Sequence, residues 1–136
     1  MNPQWHIAFL NISTTDLAGV TFRHYYSTPE TMLATQLKAR EEAERRWGVG
    51  RFVHTSLDVP AARVTTLFGM RTVFSDDDEV PWTDPASNPL TDWQDVDAMP
   101  MLAPADCPAF AAKRKAWEYY NSQGIKTGLG PGAAST

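Results

Sequence analysis

The stretch from about Pro29 to Trp47 constrains this chain more than any other, because it reads as one amphipathic helix with both ends marked. Thr28 can cap it with Pro29 at the first helical position, or Ser27 can cap it in a Ser-x-x-Glu box with Glu30. Met32, Leu33, Gln36, Leu37, Ala39, Ala43 and Trp47 recur at helical spacing and define a mostly apolar face. Lys38, Glu41, Glu42, Arg45 and Arg46 lie opposite, so Glu41–Arg45 and Glu42–Arg46 are favourable pairs worth roughly 0.2–0.5 kcal/mol each. Gly48 and Gly50 end the helix. Arg40 falls inside the apolar stripe. Either its stem packs while its head reaches water, or the charge is aimed into a site or an interface.

A chain built around such a helix needs a core, and 136 residues with 43% hydrophobic content can supply one for a single domain. The net charge is only −4, and the apolar content is too high for a disordered tail. An isoelectric point near 5.2 argues against a nucleic-acid or anionic-membrane partner. No apolar run approaches the ~18 residues of a membrane span. The opening MNPQWHIAFLNIS has neither the basic nor the long apolar region of a signal peptide, so a cytoplasmic location is expected. The lone Cys107 excludes an internal disulfide framework.

After the helix, Arg51–Leu57 reads as a strand from its β-branched and aromatic content. Pro60 can open a second helix, AARVTTLF, closed by Gly69, and Met70–Phe74 reads as another strand. This alternation is that of an α/β chain. From Thr72 to Ala112 there is no Lys or Arg, while Asp76, Asp77, Asp78, Glu79, Asp84, Asp92, Asp95, Asp97 and Asp106 all fall in that span. Pro81, Pro85, Pro89, Pro100, Pro104 and Pro108 punctuate it. Trp82, Leu90, Trp93, Val96, Met99, Met101 and Leu102 give it apolar anchors, so the span reads as an ordered excursion rather than a linker. A short helix is predicted from Thr91, with Gln94 completing a capping box. A final helix is predicted over about Pro108 to Gln123, with Phe110, Trp117 and Tyr119 or Tyr120 inward. Gly124 stops it, and Ile125–Gly130 reads as a last strand running into GLGPG.

Few residues carry a chemical signal. Asp58 would lie at the carboxyl end of the strand from Arg51, where α/β folds gather ligands; it equally suits a cap for the helix at Pro60. His54, mid-strand, is a catalytic candidate or an ordinary core or surface histidine. Asp76–Glu79 lacks the spacing of a calcium loop and reads as a solvated turn. GLGPG lacks the lysine and the following helix of a phosphate loop. The five tryptophans read as core and loop anchors, with Trp82 alternatively an interface residue.

The order of segments nevertheless resembles a known family. YYSTPETMLATQLKAREEAERRWGVGRF, HTSLDVPAARVTTLFGM, VFSDDDEVPW and PLTDWQDVDAMPMLAP, followed by a helix ending YYNSQGIKTGLGPGAAST, resemble the uroporphyrinogen decarboxylase superfamily, and more closely its corrinoid-dependent methyltransferase branch. Tyr26-Ser27-Thr28-Pro29-Glu30 opening a helix, a strand ending in Asp, Leu67-Phe68-Gly69-Met70 and the Asp95-Val96-Asp97 stretch carry the likeness, which covers nearly the whole chain from about Phe22.

The resemblance implies the N-terminal part of a (β/α)8 barrel of the TIM type, with its site at the carboxyl ends of the strands. It implies methyl transfer with a corrinoid protein or a thiol acceptor, and a corrinoid or zinc only in a completed assembly, none bound by this chain alone. Decarboxylation of a small or tetrapyrrole acid is the alternative chemistry. Trp5 to Phe22 contains no arginine, however, where the tetrapyrrole decarboxylases carry an arginine-rich signature. A full barrel needs ~200–250 residues. The expectation is therefore a single partial-barrel domain over residues 1–136, completed by a different chain, or else by a second copy. The chain begins with Met and ends in a polar tail, which favours a split arrangement over a remnant. A non-catalytic scaffold subunit that keeps the fold is the other class of function.

Overall fold

The computed structural model of the chain describes residues 11–59, 66, 69–75, 80–98 and 108–127. They divide into two compact units, Met1–Ser56 and Leu57–Thr136. The boundary falls within the segment expected to run from strand into helix.

The first unit is helical: α1 (Asn11–Ala18), α2 (Phe22–Tyr25) and α3 (Pro29–Trp47), followed by a 3-10 turn at Gly50–Phe52. The long helix has the predicted bounds for the predicted reasons. The Thr28 hydroxyl accepts the Thr31 N–H at 3.1 Å, and Pro29 opens the first turn. At the other end Gly48 takes a left-handed conformation (φ 67°), and its N–H donates to the Glu44 carbonyl at 2.8 Å.

Its buried stripe is narrower than the sequence suggests. Met32, Leu33, Gln36, Ala39 and Ala43 are buried, while Leu37 and Trp47 are exposed. The packing partner explains the difference. The α1 helix is short, about 12 Å at the usual rise, against about 28 Å for α3. It covers only part of the apolar face. Leu17 and Ala18 of α1 form a core with Ala39, Ala43 and Val53. The three alanines let backbones approach closely there.

α1 carries little local helix signal, because NISTTDLA is rich in weak helix formers. Tertiary contacts hold it. Thr14 and Thr15 are buried, and Lys38 of α3 donates through Nζ to the Ala18 carbonyl at 2.6 Å, satisfying the helix end.

The strand expected at Arg51–Leu57 does not form. Residues 50–52 make the 3-10 turn, and 54–59 are irregular. A strand needs a partner for its backbone groups. Here a side chain supplies one. The Gln36 carboxamide donates through Nε2 to the Ser56 carbonyl at 2.8 Å and accepts the Ser56 N–H through Oε1 at 3.1 Å. Arg40 does the same for the preceding turn, donating through Nε to the Val53 carbonyl at 3.0 Å. Its charge is thus neither freely solvated nor aimed at a site; it ties the turn to the helix.

In the second unit, β1 (Thr72–Val73) pairs antiparallel with β2 (Trp82–Thr83) in the register Thr72↔Thr83 and Val73↔Trp82. Among the described residues this two-stranded pair is the sheet, so the strand expected at Met70–Phe74 survives as two residues of a hairpin. Arg71 and Asp84 close it with a backbone bond of 2.9 Å and an ion pair of 2.9 Å. A 3-10 turn at Pro85–Ser87 and α4 (Gln94–Ala98) follow, then α5 (Pro108–Ser122). In α5, Ala116 and Tyr120 are buried, and Trp117 is half-buried with its Nε1 donating to the Thr127 carbonyl at 2.8 Å. Gly124 (φ 77°) ends that helix as expected, and 125–127 are irregular rather than a strand. The helix expected after Pro60, the Asp76–Glu79 turn, Cys107 and GLGPG lie outside the described residues, apart from Thr66.

Candidate interaction surfaces

The two residues singled out for catalysis occupy ordinary positions. His54 is exposed on irregular backbone at the end of the first unit. Asp58 is half-buried on irregular backbone at the start of the second. Without a strand from Arg51, neither sits at a strand's carboxyl end. The unit boundary separates them. His24 is exposed in α2. Among the described residues no group of three or more His, Cys, Asp or Glu side chains is placed to hold a metal ion. No described helix is long and apolar enough to cross a membrane.

Two surfaces stand out instead. The first is a cleft in the first unit at the end of α3, of about 490 Å³, lined by Arg40, Glu41, Glu44, Arg45, Gly50 and Arg51. Its exposed wall is chiefly the carbon of those side chains. Gly50 shapes it. A Cβ there would lie 2.7 Å from the Arg40 carbonyl oxygen and 2.8 Å from Glu44 Cβ, so only glycine allows the turn to sit this close to the helix. The Gly50 N–H donates to Glu44 Oε2 at 2.8 Å, which occupies one of the two carboxylates. Arg51 is exposed at the rim with its guanidinium 4.8 Å from the Phe52 ring.

Beside the cleft, Glu42 gathers two arginines rather than the one the sequence pairs with it. Arg45 binds it bidentately at 2.8 and 2.6 Å, and Arg46 Nε donates to the same carboxylate. A fork-shaped guanidinium three residues on reaches both carboxylate oxygens, so Arg45 takes Glu42 in preference to Glu41. The hydrogen bonds from Arg45 and then Arg46 hold the Glu42 carboxyl down at about 2.

The second surface is the face that Trp93 and Val96 share at the start of α4. Trp93 is 71% exposed and Val96 57%. Their spacing of three puts them on one side of the turn. Their apolar character predicts anchors for the acidic span; they are displayed instead. The turn beneath is fixed by an acid. Asp95 Oδ2 accepts the Thr91 N–H at 2.7 Å, the Thr91 hydroxyl at 3.0 Å and the Asp92 N–H at 2.8 Å. Those donors, the Asp92 N–H first, lower the Asp95 pKa. The predicted capping box gave this place to Gln94, but an ionised carboxylate is the stronger acceptor for orphan N–H groups. Asp92 and Asp97 are exposed on either side of the apolar pair. Trp82, the residue with the alternative interface reading, is 39% exposed on β2.

No family model matches the chain, and no curated protein and no solved structure matches it.

Proposed function

We propose that this chain is a protein-binding subunit that acts through the acidic, aromatic surface at the start of α4. The observation that carries the reading is Trp93, more than two-thirds exposed beside Val96 on a turn that Asp95 holds rigid. An exposed tryptophan is a costly thing to leave in water unless a partner covers it, and tryptophan dominates the energetic centres of protein interfaces. The flanking Asp92 and Asp97 call for a partner surface rimmed with Lys or Arg. The test compares the tagged full chain with its Trp93→Ala/Val96→Ala variant by quantitative mass spectrometry of what each retains. Loss of specific proteins by at least tenfold in the variant is expected; identical sets from both chains would overturn the reading.

A methyl-transfer role is the second proposal, supported by the resemblance and by one position: Asp58 is a half-buried carboxylate on irregular backbone. In that reading another chain completes the (β/α) barrel and any corrinoid or zinc belongs to the completed assembly. Asp58 then steadies developing charge, with His54 beside it in sequence. Asp58→Asn removes the charge with little change of shape and lowers turnover of the reconstituted assembly by at least tenfold. Unchanged turnover would remove Asp58 from the chemistry.

A further inference from the structure

We propose that the partner of the Trp93 face is an amphipathic α-helix whose apolar stripe is bordered on both sides by Lys or Arg. The inference rests on the protein-binding reading above and names the chemistry of the partner.

The layout of the face selects that chemistry. The Asp95 N–H donates to the Asp92 carbonyl at 3.1 Å and the Val96 N–H to the Trp93 carbonyl at 3.2 Å, which carries the helical winding back to Asp92. At helical pitch Asp92 and Asp97 then fall on opposite sides of the line through Trp93 and Val96, each about 70° from it. An apolar pair is thus bracketed by one carboxylate on each margin. These two acids are also unspent. Asp84 is taken by Arg71 and the Ala86 N–H, Asp95 by the Thr91–Asp92 turn, and Glu118 by Arg114. Among the described residues the Asp92 and Asp97 carboxylates have neither an ion pair nor a hydrogen bond. No Lys or Arg occurs between Thr72 and Ala112 to offset them.

The shape of the face separates a helix from other basic partners. Every residue from Thr91 to Ala98 is exposed except half-buried Asp95, so the turn is a ridge. A helix lays an apolar stripe along such a ridge and pairs its flanking charges across both margins, as the seam and edges of a coiled coil do. A lone strand presents one row of side chains per face and has no charged margin on each side of that row. A basic tail without apolar residues would meet the acids and leave Trp93 in water. Asp95 already fixes the turn, so little further ordering accompanies binding. The contact spans about two helical turns, well below a permanent interface. The association is therefore weak and reversible, with half-saturation at about tens to hundreds of micromolar.

The experiment is calorimetric titration of the full chain with a synthetic helix of leucine and lysine, its leucine stripe bordered by lysine on both sides. One control peptide has the same composition in an order that forms no stripe. A second carries glutamate in place of lysine. The lysine-bordered helix is expected to bind in the stated range and both controls at least tenfold more weakly. Trp93→Ala/Val96→Ala weakens binding at least tenfold. Asp92→Lys/Asp97→Lys exchanges the preference, so that this variant takes the glutamate-bordered helix and loses the lysine-bordered one. The α4 helix has no buried residue, so both variants keep the fold, which circular dichroism confirms. Higher salt weakens the wild-type complex, because exposed ion pairs are screened.

Absence of binding by the lysine-bordered helix overturns the inference, and it leaves the protein-binding reading to its own mass-spectrometric test. Equal binding of the peptide without a stripe overturns it too, because charge alone would then account for the affinity. A charge-reversed variant that keeps the wild-type preference likewise overturns it, since the two margins would not be choosing the partner.

Discussion

The two units differ in where most of their polar side chains are spent. In the first, Gln36, Lys38, Arg40 and Glu44 reach across to the backbone of distant segments and pin them to α3. In the second, Asp95 serves backbone and hydroxyl groups three and four residues away, and Asp84 serves the Ala86 N–H two residues away. Longer ties there are fewer: Arg71 meets Asp84 and the Ser87 hydroxyl across the hairpin, and Trp117 reaches the Thr127 carbonyl. Long-range ties make a unit cooperative. Local ties make rigid turns on a surface, each independent of the next. The first unit is accordingly organised around its own interior, while the second displays Trp93 and Val96 to whatever approaches.

That contrast can be broken at definite points. The largest effect is expected from Gln36→Leu. It removes one hydrogen bond from the buried Tyr25 hydroxyl and one each from the carbonyl and N–H of half-buried Ser56, a loss of about 3 kcal/mol together. Urea denaturation followed at the helical circular dichroism band measures it. An unchanged midpoint would show that water replaces Gln36 without loss.

Gly50→Ala comes next. The added carbon would meet the Arg40 carbonyl oxygen at 2.7 Å, so the turn must move away from α3 at a cost of about 2 kcal/mol. The same denaturation measures that cost, and a midpoint within error of wild type would contradict the close approach.

Asp95→Ala should do less and act only locally, costing about 1 kcal/mol as cap losses do. Amide exchange at Thr91 and Asp92 should accelerate while exchange in α3 stays unchanged. Parallel acceleration in α3 would contradict the independence of the turns.

The smallest effect is that of pH on Glu42. The two arginines hold its carboxyl at about 2, well below the ordinary 4.5 of a glutamate. A lowered carboxylate pKa contributes stability that is present above pH 4.5 and is lost as the pH falls through about 2. Carbon-detected NMR titration of the Glu42 carboxyl reads this directly. A midpoint near 4.5 would mean that the two arginine contacts are not held in solution.

What could be read from the sequence follows the same division. The α3 helix was legible at both ends because capping and periodicity are local signals, carried by Thr28, Pro29 and Gly48. The final helix and its stop at Gly124 were legible for the same reason. The α1 helix was not, because its threonines favour a helix only once α3 buries them. The false strand at Arg51–Leu57 teaches more. Its composition suits a pleated, half-buried surface, but composition does not reveal whether a neighbouring strand exists. Gln36 takes the neighbour's place, and nothing marks a glutamine in an apolar stripe as a stand-in for backbone. Of the candidate surfaces, the sequence suggests an interface alternative for Trp82 but an anchor for Trp93. Burial of an isolated aromatic depends on what folds over it, and its own identity does not decide that.

The Gln36 tie has a mechanical consequence. Ser56 is the last residue of the first unit, so any pull or twist transmitted along the backbone from Leu57 onward arrives first at the Gln36 carboxamide. A tie through a single atom pair would act as a swivel. A planar amide gripping both the carbonyl and the N–H of one residue fixes direction as well as position. Rotation of the Ser56 peptide against α3 is therefore blocked as well as its displacement.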